Sequence, residues 1–263
     1  MRRTIRLYRR QLGAHLRAAL QYEADFWILI GAAALVQVVG VVFLGAIFAK
    51  IPELNGWTFW EVVVVYAMVS IAEGVGSLFF EGTWRLARKI NQGEVDYLLV
   101  RPYPVTLQVM SSEIGLNGIG NIVVGSILLG LGVARSDIHW SAGNVALGIV
   151  LLVSALVIKV AISLGTNAGS FWIPGPYSVV GYGIHQVGEL ARYPITIYAI
   201  GVRLAISVLV PFAFVSFFPV AVLLGRGGSA RLGLLTPAVA VYCVLAARWA
   251  CNRGLRRYEG AGN

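Results

Sequence analysis

Charge is what this sequence has least of. Only 13% of its 263 residues are charged, against 58% hydrophobic, and the acidic residues number 12. So few charges cannot cover that much apolar surface in water, which excludes a soluble globular domain. Cysteine is also scarce. Cys243 and Cys251 stand eight positions apart in one apolar segment, too far along a helix to bridge each other, and read as small apolar residues. His15, His139 and His185 are scattered and form no metal constellation. The GxxxxGK[ST] phosphate loop, HExxH, GxSxG and CxxC are all missing, so the chain carries no catalytic signature and is read as non-catalytic. A cleavable signal peptide is not expected either, because the first apolar run begins only at Phe26 and is too long for a signal core.

What is present is a series of long apolar runs. A bilayer core needs ~20 apolar residues per helical span. The runs predict an all-α polytopic membrane protein with six transmembrane helices: 26–48, 59–80, 112–133, 142–164, 195–210 and 232–250. Trp57 and Trp60 flank the loop between the first two as aromatic interface anchors, and Arg135 to Trp140 makes a short outer turn. The net charge of +9 is explained by position rather than by nucleic acid, since the basic residues sit at span ends. With both termini in the cytoplasm, fourteen Lys or Arg fall in cytoplasmic segments and four outside (Lys50, Arg135, Arg226 and Arg231), a positive-inside bias. Residues 1–25 form a separate N-terminal unit. Ile5, Tyr8, Leu12, Leu16 and Ala19 recur at helical spacing, with Arg2, Arg3, Arg6, Arg10 and Arg17 on the adjoining arc. That pattern predicts a basic amphipathic helix lying on anionic membrane lipid. Residues 26–263 make the transmembrane domain. Within it, Gly165 to Pro194 reads as the end of span four, a Gly-Pro break and an interfacial cytoplasmic helix. Pro211 to Leu224 reads as short helices dipping into the outer leaflet.

One long charged segment separates two strongly apolar ones, residues 81–104. Trp84 to Gln92 reads as a short helix with Arg88 and Lys89 in its last turn, where cations suit the helix dipole. Gly93 follows as a left-handed cap. A second short helix, Glu94 to Val100, must stop near Arg101, because Pro102 disfavours the α conformation before it. Val95, Leu98 and Leu99 give this pair of helices an apolar edge; Glu94, Asp96 and Arg101 give it a charged one. The segment is either an ordinary cytoplasmic loop or a docking element for a soluble partner.

Polar residues inside the spans are costly, at least ~2.5 kcal/mol for an ionised group at mid-membrane. Glu73, Lys159 and Arg203 must therefore face protein or water, along a substrate path or as a buried pair. Glu73 with Lys159 is one such pair and Glu73 with Arg203 another; alternatively Lys159 snorkels to the interface. Asn117 and Asn121 share one face of span three and suit interhelical hydrogen bonds better than substrate binding. Gly165 and Gly169 form a GxxxG close-packing pair.

Three blocks carry a family likeness. Ile90-Asn91-Gln92-Gly93-Glu94-Val95-Asp96-Tyr97-Leu98-Leu99-Val100-Arg101-Pro102 resembles the "G-E-hydrophobic-D … L-L … R-P" signature of ABC-2 family permeases. Glu189 to Tyr198, with Ala191-Arg192-Tyr193-Pro194 at its centre, resembles that family's "ARYP" segment. Val210 to Pro219 resembles its "P-hydrophobic-A … P" stretch. Ile173 to Tyr182 is richer in glycine and proline than the family pattern. The resemblance implies the membrane subunit of an ATP-binding-cassette exporter in the bacterial inner membrane. It implies pairing with a second six-span permease, the same chain or a homologue. Two separate ATPase subunits dock beneath, carrying the ATP and Mg, so no cofactor is expected on this chain. Residues 81–104, with Trp84 and Arg88 to Pro102 at their core, become the ATPase-docking segment. A secondary transporter would instead need internal repeats, and none is seen; a non-transporting anchor for an ATPase stays open.

Overall fold

The computed structural model describes residues 2–136, 138 and 141–259, with the side chains of 2–4 and 227–229 excepted. Positions 137, 139 and 140 of the expected outer turn, the His139 position, and the Arg2 and Arg3 side chains of the basic arc lie outside that description. The regular structure of the described residues is all helical, with a single bridge between Leu54 and Trp57. The helices are α1 (Arg2–Ala19), α2 (Glu23–Phe48), α3 (Phe59–Phe80), α4 (Leu86–Asn91), α5 (Glu94–Leu99), α6 (Val105–Met110) and α7 (Asn117–Ala134). They continue with α8 (Ala142–Asn167), α9 (Val179–Glu189), α10 (Ile200–Leu204), α11 (Phe217–Leu223), α12 (Gly227–Gly233) and α13 (Thr236–Arg257).

Four helical stretches are long and apolar enough to cross a membrane: Glu23–Phe48, Phe59–Asn91, Asn117–Ala134 and Ala142–Phe171. The helix α13 has the length, at 22 residues, but carries Arg248, Arg253, Arg256 and Arg257. It also starts later and runs further than the span expected at 232–250, because Gly233 ends α12 just before it.

The core forms around α3, whose residues from Val62 to Ala72 are all buried. The helix α7 packs against it through Gly118, Gly125 and Gly132, one every seventh residue. A Cβ on Gly118 would come within 2.4 Å of the Gly74 carbonyl oxygen, one on Gly125 within 3.0 Å of Ile71, and one on Gly132 within 2.7 Å of Val64. Lipid tails are as apolar as leucine, so helices in a bilayer gain from such close backbone approach rather than from burial itself. The GxxxG pair is split between partners: Gly165 faces Ala247 of α13, and Gly169 faces Val180 of α9.

The bundle has two distinguishable ends. At one, the loop 49–58 meets Arg226, which donates to the Gly56 carbonyl and to Glu61 at 2.5 Å; Arg135 lies 4.3 Å over the Trp60 ring nearby. At the other, Tyr8 of α1 donates to the Phe79 carbonyl at 2.6 Å, Ser111 donates to Gln11 at 2.9 Å, and Asn91 donates to the Gly175 carbonyl.

Between these ends the second half of the chain departs from expectation. Ser178 lies against the Thr166 carbonyl at the α4–α6 end, yet the Thr196 carbonyl accepts from Asn55 in the 49–58 loop at 2.9 Å. Residues 179–197 therefore traverse the bundle, where a surface helix was expected. The stretch expected as span five, 195–210, does not traverse it. Arg203 donates to the Thr196 carbonyl at 3.0 Å, so α10 starts at the 49–58 end. A π-helical turn (Ala205–Leu209) and Pro211 then bend the chain by 74° into α11, which leads back to Arg226 at the same end. Residues 200–223 form a hairpin that dips into the bundle, as the prolines suggested for its second half.

Candidate functional site

Two groups of residues stand out, and a ring contact joins them. The first is the charged segment, which folds as its sequence dictates. Glu81–Arg85 makes a 3-10 turn, and α4 and α5 follow, separated by Gly93 in the left-handed region at φ 69°. That conformation costs an L-residue ~1–2 kcal/mol and glycine almost nothing. Lys89 pairs with Glu94 across the turn at 2.8 Å, and this bond holds the Glu94 carboxyl below its ordinary range. Glu113 ties the segment down from α6's far side, accepting from Arg85 at 2.5 Å and from Arg88 at 3.2 Å. Buried Gln108 donates to the Leu98 and Tyr103 carbonyls at 2.9 and 2.6 Å.

The apolar edge is distributed differently from the sequence reading. Val95 is fully enclosed, and Leu98 packs on the small core of Leu86, Val109 and Cys251. Val95 serves the chain's own packing and offers no contact area to a partner, whereas Leu98 is only partly covered. Tyr97, Leu99 and Val100 project instead, 73%, 50% and 82% exposed. Arg101 and Pro102 are exposed beside them, Arg88 is exposed, and Asp96 is partly covered.

The second group lies inside the bundle. Glu73 of α3 meets Lys159 of α8 at 2.5 Å, with side-chain exposures of 17% and 7%, so the lysine does not snorkel out. Lys159 also lies 5.3 Å from the centre of the Phe212 ring at the tip of the hairpin. His185 of α9 presents Nδ1 to the other Glu73 oxygen at 4.0 Å. One turn further, Glu189 pairs with Arg192 at 2.5 Å; Arg192 also donates to Gln37 Oε1 at 3.1 Å and to Ser70 Oγ at 3.4 Å. Ser70 donates to the same Gln37 oxygen at 2.9 Å, and Gln37 Nε2 donates to Asn121 at 2.9 Å. Asn117 donates to Ser77 at 3.4 Å. The asparagines thus join helices. Arg203 takes no part: it caps the backbone at the opposite end, so Glu73 has Lys159 as its cation.

Gln37, Ser70, His185, Glu189 and Arg192 were not singled out for this site. Gln37 left a sequence signal, as the one amide inside an otherwise apolar run. Glu189 and Arg192 left another, since opposite charges three apart on a helix can neutralise each other. Counting histidines alone also missed that Glu73, His185 and Glu189 place ligand atoms within 4.8 Å of one another. Each carboxylate of that trio already holds a protein cation, so the trio has no net negative charge to offer a metal.

The link between the two groups is Trp84. Its ring meets the His185 ring edge-on at 5.1 Å, so the charged segment touches the residue that faces Glu73. A family model described as "ABC-2 family transporter protein" matches residues 34–262, which include both groups and everything between them. The chain belongs to the ABC-2 transporter family. No curated protein and no solved structure matches it. As an ABC-2 protein with several apolar helices, it is a multi-pass membrane component with a permease role in transport, and its family typically works with ABC ATPases.

Proposed function

We propose that this chain is the permease subunit of an ATP-driven exporter, that residues 81–104 dock on its ATPase, and that Trp84 passes the motion to the Glu73–Lys159 pair. The end bearing this segment is the cytoplasmic one, in keeping with the basic bias. Crossings are then made by α2, α3, α7, α8, residues 179–197 and α13, with the hairpin 200–223 entering from outside. A second copy or a homologous permease completes the translocation path, and the cargo is hydrophobic or amphipathic. The ATP and Mg belong to the partner ATPase, and the membrane is the bacterial inner membrane.

The observation that carries the reading is the projecting edge of Tyr97, Leu99 and Val100, beside exposed Arg101, on a segment whose other face is locked into the core. Apolar anchors dominate such interfaces, and truncating one costs up to ~2 kcal/mol or more. The test uses the permease co-expressed with its ABC ATPase in vesicles. Tyr97→Ala with Leu99→Ala should weaken ATPase capture at least tenfold. Trp84→Ala should leave capture intact and uncouple ATP hydrolysis from export. Wild-type capture and export by the double variant would reject the docking role; a reporter near Lys89 located outside the cell would reject the topology.

A further inference from the structure

A cleft of about 550 Å³ opens between α3, α6, α8 and α13 near the segment-bearing end. Its walls are apolar: Val75 and Phe80 from α3, Val157 and Leu164 from α8, Val244 and Ala247 from α13. The one charged residue among its lining is Arg248, with Asn252 a turn further along α13. Arg248 was passed over in the sequence, and it is exposed. Among the described residues it pairs with no carboxylate or carbonyl, as is also true of Arg253, Arg256 and Arg257 further along α13, but of these four only Arg248 lines the cleft.

A guanidinium set in an apolar lining favours an anion, because an uncompensated charge in hydrocarbon is expensive. It stands nine residues before the end of α13, ~13 Å along the helix. The cleft itself runs from Leu156 to Leu164 on α8 and from Val244 to Asn252 on α13, ~12 Å on each helix. One leaflet of a bilayer has about 15 Å of hydrocarbon. Apolar walls of nearly that length, with a free cation in the lining, fit one amphiphile with an acyl chain and an anionic head. The basic helix α1 adds to the same surface, since its Tyr8 ring lies 6.1 Å from Phe80 of the cleft wall.

We propose that this cleft holds an anionic phospholipid of the cytoplasmic leaflet, its acyl chain between α8 and α13 and its phosphate on Arg248. The site goes beyond the transport reading, because its lining does not include the Glu73 cluster and its lipid is the same whatever cargo the chain moves.

The experiment is native mass spectrometry of the full-length protein released from nanodiscs containing phosphatidylglycerol or phosphatidylcholine. Wild type should retain phosphatidylglycerol preferentially. Arg248→Gln should cut that retention about tenfold, and Arg9→Gln on α1 should leave it within twofold. Val157→Trp should fill the cleft and cut retention with Arg248 intact. Equal losses from Arg248→Gln and Arg9→Gln would mean diffuse attraction to basic surface and overturn the site. Retention unchanged in Val157→Trp, or displacement by inorganic phosphate alone, would mean that only a head group binds and would overturn it too. A dimer lost in Val157→Trp with lipid retention unchanged would assign the cleft to a second copy of the chain instead.

Discussion

The helices α2 and α3 are both apolar and long enough to cross a bilayer, yet they meet opposite surroundings. Fourteen of the 22 residues of α3 are buried, against two of the 26 in α2, Gln37 and Leu44. Hydrophobicity does not separate them. What separates them is where small and polar residues fall. The glycines of α7 let α3 come close along its whole length, and Ser70, Glu73 and Ser77 give it polar partners on three sides. The helix α2 has one such stripe, where Gly40 admits the Tyr66 hydroxyl and Gln37 reaches Asn121. The rest of it, including Leu35, Val39, Val42 and Phe43, faces outward. Inside a membrane, burial follows close approach and hydrogen bonding rather than apolar content. In the proposed exporter, that open face is what α2 can offer to lipid or to a second permease.

The comparison breaks most visibly at the charge pair. Glu73→Gln and Lys159→Met, made singly, each leave a buried charge without its partner and are expected to destabilise by ~3–5 kcal/mol. The double variant should melt closer to wild type than either single one in detergent. Strictly additive losses would mean that the pair is not a unit.

Glycine substitution probes packing on both helices' terms. Gly118→Leu drives a side chain into α3 backbone, so overpacking should cost ~1–3 kcal/mol or more. A Cβ on Gly31 of α2 meets nothing within 4 Å, so Gly31→Leu should stay within ~0.5 kcal/mol. Equal losses in thermal melting would show that α2 is covered in the isolated protein, and the contrast would fail.

The smallest effect belongs to Gln37→Leu. It removes the bond to Asn121 and the oxygen that Ser70 and Arg192 share, and interhelical hydrogen bonds in membranes average only ~0.6 kcal/mol. A loss near 1 kcal/mol, with Asn121→Leu adding little more, would place the stability of α2's buried stripe in that amide. A neutral Gln37→Leu would leave the stripe to Gly40 and Leu44.

Much of this was legible in the sequence where one residue type forces one conformation. Gly93 and Pro102 fixed the two short helices of the charged segment, and intramembrane cost required protein or water around Glu73 and Lys159. Sequence could not choose between Lys159 and Arg203, since the choice depends on where the chain reverses. The misreading of 165–210 has one cause. His185, Glu189 and Arg192 read as surface residues because each is polar alone, whereas inside the bundle they satisfy one another and Glu73. The face of α5 was equally closed to inspection: Val95 and Leu99 are both apolar, and only tertiary packing decides that one is enclosed and the other free. No spacing announces the contact between Trp84 and His185.

The broken crossing at 179–197 also bears on how the chain is made. Its one α-helical part, α9, has 11 residues, or ~16 Å, about half of a bilayer core. The remainder is short 3-10 turns around Pro194, whose carbonyls find donors elsewhere: Asn55 and Arg203 on Thr196, Tyr198 on Leu190, Ser216 on Ala191. Unsatisfied carbonyls are not tolerated in hydrocarbon. Three of those four donors are synthesised after the stretch they serve. A nascent chain ending at Tyr198 should therefore leave 179–197 open to protease from the cytoplasmic side, and one ending at Leu224 should protect it. On the proposed topology, insertion of this crossing would wait on the ribosome, and the hairpin that follows it in sequence would draw it into the membrane.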